Sequence, residues 1–148
     1  MTATQVVLIE AQDSEARLVA LAYKVVGFDV DVHHFRGARD AMEYLSGAAE
    51  GPHLLMVGLN LPDTSGLDIV HFVRNHHRLH DLPVVMLTGS SAESHLTAAL
   101  EAGASWFVTK TADLDLLYAQ IHTLADQFLT SRKRTTTRPR RRWTRMAA

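Results

Sequence analysis

The sequence predicts one α/β domain built on a parallel, doubly wound sheet. Two observations carry this reading. Short apolar runs alternate with amphipathic segments five times along the chain, and 47% hydrophobic content over 148 residues suits a single buried core. Parallel strands need crossover connections, and right-handed crossovers place helices on both faces of the sheet. The expected strand order is 2-1-3-4-5, with a binding crevice beyond the carboxyl ends of strands 1 and 3, where the order switches.

The elements follow in order. Gln5 to Glu10 is an apolar run bounded by polar residues, and between Asp13 and Val26 the residues Ala16, Val19, Ala20, Tyr23 and Val26 recur at helical spacing. Asp13 or Ser14 is placed to cap this first helix, and Gly27 to end it in a left-handed conformation. Phe28 to His33 alternates apolar and polar residues as a half-exposed strand does, and Ala38 to Leu45 continues as an amphipathic helix ending near Gly47. His53 to Val57 is a third apolar run, Gly58 to Gly66 a loop containing Pro62 and Asp63, and Leu67 to Asn75 a third helix. Pro83 to Thr88 with a fourth helix around Ser91 to Ala102, then Ser105 to Thr109 with a fifth around Ala112 to Phe128, complete the series. The domain is expected to span residues 4–128, with a tail at 129–148.

Composition removes several classes of chemistry. With no cysteine there is no disulfide framework, no thiolate zinc site and no thiol nucleophile. No stretch approaches the roughly 18 uninterrupted apolar residues of a membrane span, and Met1 to Gln5 has neither a basic nor an apolar targeting region, so a cytoplasmic protein without a span is expected. All 16 acidic residues but only seven of the 15 basic ones precede residue 131, which gives the body a formal charge of −9. The last 18 residues carry the other eight cations, Arg132, Lys133, Arg134, Arg138, Arg140, Arg141, Arg142 and Arg145, and no acid. Such a segment has too few apolar residues to add a packed element, so disorder is expected.

At the predicted crevice, Glu10 and Ala11 close strand 1, Gly58 and Asn60 follow strand 3, Thr88 closes strand 4 and Lys110 closes strand 5. The loop Gly58-Leu-Asn-Leu-Pro-Asp-Thr-Ser-Gly66, with Val84-Val-Met-Leu-Thr-Gly89 and Gly103-Ala-Ser-Trp-Phe-Val-Thr-Lys110, resembles the receiver domain of bacterial response regulators, over roughly residues 4 to 128. The resemblance implies a flavodoxin-like (βα)5 fold. It also implies that two acids after strand 1 and an acceptor aspartate after strand 3 hold magnesium, while a hydroxyl and a lysine contact the phosphoryl group. Position by position these are Glu10, Ala11, Gly58, Thr88 and Lys110, with Phe107 as the aromatic switch and Trp106 beside it.

Two of the three carboxylates are therefore missing. An acyl phosphate requires a carboxylate nucleophile, which glycine does not offer. Glu10 alone is a poor remnant of a magnesium site, so binding is expected to be absent or very weak, with no other metal or cofactor. Lys110 is expected to pair with Glu10 instead. Asp13 and Asp63 are near in sequence but not at strand ends. Thr111 replaces the proline that commonly follows the lysine in the family, removing the usual reason for a cis peptide. His71, His76, His77 and His80 read as a solvated helix terminus rather than a zinc site.

The resulting expectation is a non-enzymatic pseudo-receiver. It would act independently of phosphorylation through the fourth helix, fifth strand and fifth helix, on a histidine kinase, another regulator or a second copy of itself as a homodimer. Two alternatives stay open: a nucleic-acid-associated regulator using the tail, with Trp143 stacking on a base, and a small-molecule sensor using the vacated crevice.

Overall fold

The computed structural model describes residues 4–47, 51–89 and 93–130. In chain order the elements are β1 (Thr4–Ile9), α1 (Asp13–Val25), β2 (Val30–Phe35), α2 (Ala38–Gly47), β3 (Leu54–Gly58), α3 (Gly66–Arg74), β4 (Val84–Thr88), α4 (Glu93–Ala102), β5 (Trp106–Thr109) and α5 (Leu114–Ala125). A π-helical turn, Asp126–Thr130, follows α5. The five strands form one parallel sheet in the order β2-β1-β3-β4-β5, the doubly wound arrangement expected from the sequence.

The apolar runs become central strands because both faces of the sheet are covered. Every residue of β3 and β4 is buried. Alternate residues then build two cores. Val6, Leu8, Leu54, Met56, Val85, Leu87 and Val108 pack beneath α1 and α5. Val7, Ile9, Leu55, Val57, Val84 and Met86 pack beneath α2, α3 and α4. Tyr23 is fully buried in the first core, where its hydroxyl donates to Met56 Sδ at 3.1 Å and burial pushes the phenol pKa upward. Phe128 and Leu129, on either side of the boundary expected between body and tail, are both buried in the same core. The expected disordered tail, Arg132 to Arg145 included, lies outside the described residues.

Three local expectations are corrected. The second strand begins at Val30, not Phe28, because the Phe28 N–H is taken by the Tyr23 carbonyl as the chain leaves α1 through Gly27 at φ +88°. Neither Asp13 nor Ser14 caps α1; Gln12 is the N-cap residue and makes no side-chain cap. The Asp13 carboxylate instead faces Arg36, accepting from its Nε at 2.8 Å and its Nη2 at 2.5 Å. The fifth helix is capped at Asp113, whose Oδ1 accepts from Leu116 N–H, so regular helix starts later than Ala112. No described helix is long and apolar enough to cross a membrane.

Candidate functional site

The parallel register brings the carboxyl ends of β1, β3, β4 and β5 to one edge of the sheet. Ile9 pairs with Val57, Gly58 with Leu87, and Thr88 with Thr109. Glu10, Gly58, Thr88 and Lys110, singled out in the sequence, therefore close neighbouring strands. Backbone bonds fix this edge: Glu10 N–H donates to Phe35 O at 2.9 Å, Leu59 N–H to Leu87 O at 3.2 Å and Lys110 N–H to Thr88 O at 2.8 Å.

Glu10 dominates the edge. Its side chain is 3% exposed and lies across the end of β3, with Oε1 2.8 Å from Lys110 Nζ; the Lys110 side chain is 26% exposed. This is the ion pair expected from the sequence. The second oxygen, Oε2, accepts the Gln12 N–H at the start of α1 at 3.0 Å. The Lys110 contact is ionic in character, because Oε1 accepts no well-aligned hydrogen bond among the described residues. The position where a Cβ on Gly58 would sit is 3.0 Å from Oε1 and 3.5 Å from the Ile9 carbonyl. The carboxylate from β1 thus occupies the space that a side chain on the end of β3 would enter.

Gly66 completes the geometry. A Cβ there would lie 2.2 Å from the Gly58 carbonyl oxygen, so the β3–α3 loop can fold back on the strand end only with glycine at this position. Gly66 N–H donates to Leu59 O at 2.7 Å, and Ser65 Oγ accepts from Leu67 N–H to cap α3. Asn60 lies exposed on this loop and bridges to Ser65. Thr88 is buried, and Ala11 is half-buried beside Glu10.

The two nearby acids are both engaged on the rim. Asp63 caps α2 from across the loop, accepting from Ala38 N–H at 2.9 Å and Arg39 N–H at 3.0 Å, bonds that hold its carboxyl below the usual range. Asp13 is likewise lowered, first by its hydrogen bonds from Arg36. His34 Nε2 donates to the Glu10 carbonyl at 2.8 Å, which ties the end of β2 to the same place. The Asp63 cap and the His34 contact were missed in the sequence. Both join residues more than 20 positions apart, and only the folded topology brings them together.

Trp106 and Phe107 follow the alternation of β5. Both are half-buried, Trp106 against the α1/α5 core and Phe107 against the opposite one, and their rings lie 6.1 Å apart. β5 is an edge strand, and its outward-facing Thr109 is bracketed by Gln120 of α5. That side chain accepts the Thr109 N–H at 2.9 Å and donates to its carbonyl at 3.0 Å. No described peptide bond is cis, including the one between Lys110 and Thr111.

Comparison with known proteins agrees with this fold. The chain is 27% identical over 121 residues to the response regulator Rcp1 of Synechocystis, covering 78% of this chain and 82% of that one. It superposes on the Mn(2+)-bound form of response regulator Rcp1 with a TM-score of 0.75 at 26% identity, covering 92% and 99% of the two chains. The phosphorylated cyanobacterial phytochrome response regulator RcpA shares the fold at a TM-score of 0.79 and 24% identity, with 88% and 96% covered. The family model of the response regulator receiver domain matches residues 6–122, and the chain belongs to that family.

Proposed function

We propose that this receiver domain is a pseudo-receiver: a non-enzymatic, cytoplasmic protein-interaction module of two-component signalling that works without accepting a phosphoryl group. The observation that carries the reading is at the end of β3. Gly58 presents no carboxylate, and the acid that fills the adjacent space, Glu10, is bound to Lys110 and Gln12. Asp13 and Asp63, the other acids near the crevice, are held by Arg36 and by the first turn of α2. Among the described residues, no carboxylate is left in place to attack a phosphoryl donor.

The residues present also do not fit magnesium. That ion favours an octahedral set of oxygens, commonly including one or two carboxylates. Among the described strand-end residues Glu10 is the single acid, both of its oxygens are engaged, and Ala11 and Gly58 contribute no side-chain donor. No step through a metal is therefore assigned to this chain.

The output surface in this reading is α4, β5 and α5, with Trp106 and Phe107 at its centre. Gln120 brackets the Thr109 backbone, which closes that end of β5 to addition of a strand. Its partner is a histidine kinase, another regulator or a second copy in a homodimer. Incubation of the purified protein with labelled acetyl phosphate and magnesium tests the reading. No label on any carboxylate is expected, and a stoichiometric acyl phosphate would refute it.

The segregation of charge favours a second reading, in which the tail adds affinity for nucleic acid while the domain regulates it. Binding would then fall steeply with salt and disappear when residues 131–148 are removed. Binding that survives the truncation rules this out.

A further inference from the structure

We infer that the crevice is a small-anion site whose permanent ligand is the chain's own Glu10 carboxylate. Three features build the site. Lys110 supplies a cation 2.8 Å from one oxygen, the Gln12 N–H at the start of the 13-residue α1 supplies a donor 3.0 Å from the other, and Gly58 leaves the approach clear. A side chain on residue 58 would begin 3.0 Å from Oε1, so the bare strand end and the resident carboxylate are two halves of one arrangement. The burial of Glu10 at 3% exposure makes the carboxylate a fixed part of the fold rather than a side chain that happens to reach a lysine.

The ligand class follows from the donors. One ammonium and one backbone N–H, each serving a different oxygen, suit a planar monocarboxylate. Because the carboxylate is tethered to β1, its effective concentration at the site far exceeds that of free solutes, and it keeps the site filled. This deepens the pseudo-receiver reading by naming what occupies the site. It also closes the crevice to small anions in the native protein, in contrast to a crevice open as a sensor.

Glu10→Ala tests the inference, because it removes Cγ, Cδ and both oxygens, the same four heavy atoms that acetate supplies. Titration of this variant with sodium acetate at constant ionic strength, followed by amide resonances of Ala11, Gln12, Gly58 and Thr111, is expected to saturate with a Kd on the order of 10 mM, within reach of a four-atom ligand. Acetate at roughly ten times Kd should raise its Tm by roughly 3–6 °C. The native protein should show neither response. A folded variant that ignores acetate, or a native protein that binds it equally well, overturns the inference. Should Glu10→Ala fail to fold, the Lys110 ammonium resonance decides. It is expected to be a slowly exchanging signal in the native protein and lost in the isosteric Glu10→Gln, and its absence from the native spectrum, or persistence in the variant, counts against the site. Acetyl phosphate labelling tests phosphorylation independence separately, so failure of either idea is distinguishable from failure of the other.

Discussion

Lys110→Met is expected to destabilise the domain more than Glu10→Gln, although both break the same ion pair. The asymmetry comes from burial, since the Glu10 side chain is 3% exposed and that of Lys110 26%. Without Lys110, the carboxylate stays buried with the Gln12 N–H as its remaining donor, and an uncompensated buried charge of this kind costs about 3–5 kcal/mol. Without the Glu10 charge, the ammonium can turn its exposed part to water, while the glutamine carbonyl still accepts from Gln12. The loss is then about 1 kcal/mol, the upper range for an ion pair with a solvent-exposed member. A gap of about 2–4 kcal/mol corresponds in a domain of this size to roughly 4–16 °C in Tm. Urea unfolding followed by circular dichroism at fixed pH measures both variants, with m-values compared to keep the reference states equivalent. Equal destabilisation, or a larger loss in Glu10→Gln, would refute the assignment of Glu10 as the buried member that Lys110 neutralises.

Three further outcomes are expected. Gly66→Ala sets a Cβ 2.2 Å from the Gly58 carbonyl, a backbone atom that cannot swing aside, and should cost at least about 1–3 kcal/mol in thermal melts; a neutral result would show that the loop is more adaptable than its hydrogen bonds indicate. The Asp63 carboxyl is lowered from its ordinary value of 3.8 by the Ala38 and Arg39 N–H groups, so its contribution is present above that value and lost as pH falls through the lower folded value. The stability difference between the native protein and Asp63→Asn should accordingly shrink in acid, and one that persists unchanged at low pH contradicts the assignment. Arg74 donates to Gly103 O at 2.8 Å, His80 O at 3.0 Å and Leu82 O at 2.7 Å, and reaches Ser105 Oγ at 3.3 Å. Arg74→Met should therefore cost about 2–4 kcal/mol and raise amide exchange in the α3–β4 and α4–β5 connections, whereas unchanged exchange would show that the network does not hold them.

The fold was legible because its signals are local and repeated. Runs such as His53 to Val57 and Pro83 to Thr88 are apolar on both faces, as a doubly covered strand requires, and the strand order expected of a doubly wound sheet is the one observed. Boundaries were less legible where a tertiary contact competes with propensity. Asp13 has the chemistry of a cap but is drawn to Arg36, 23 residues away, and α2 takes its cap from Asp63, 25 residues from Ala38. At the crevice, residue types indicated the Glu10 to Lys110 attraction. They did not reveal that Glu10 reaches the end of β3, since that depends on the parallel register and on the absence of a Cβ at residue 58.

The substitutions at the crevice make physical sense together. Three carboxylates facing one lysine, as the receiver pattern has them, leave excess negative charge that a divalent cation offsets. With Ala11 and Gly58, the strand ends hold one carboxylate and one ammonium 2.8 Å apart, which balance each other in charge. Shape changes in step with charge. An aspartate on β3 would crowd Glu10 Oε1 at 3.0 Å, whereas glycine lets the longer acid from β1 lie across the strand end. Gly66 keeps the same strand end clear from the loop side, where any side chain would strike the Gly58 carbonyl. The neighbouring acid and the fold-back of the loop thus fill the space around Gly58, and Lys110 and Glu10 tie the end of β5 to the end of β1.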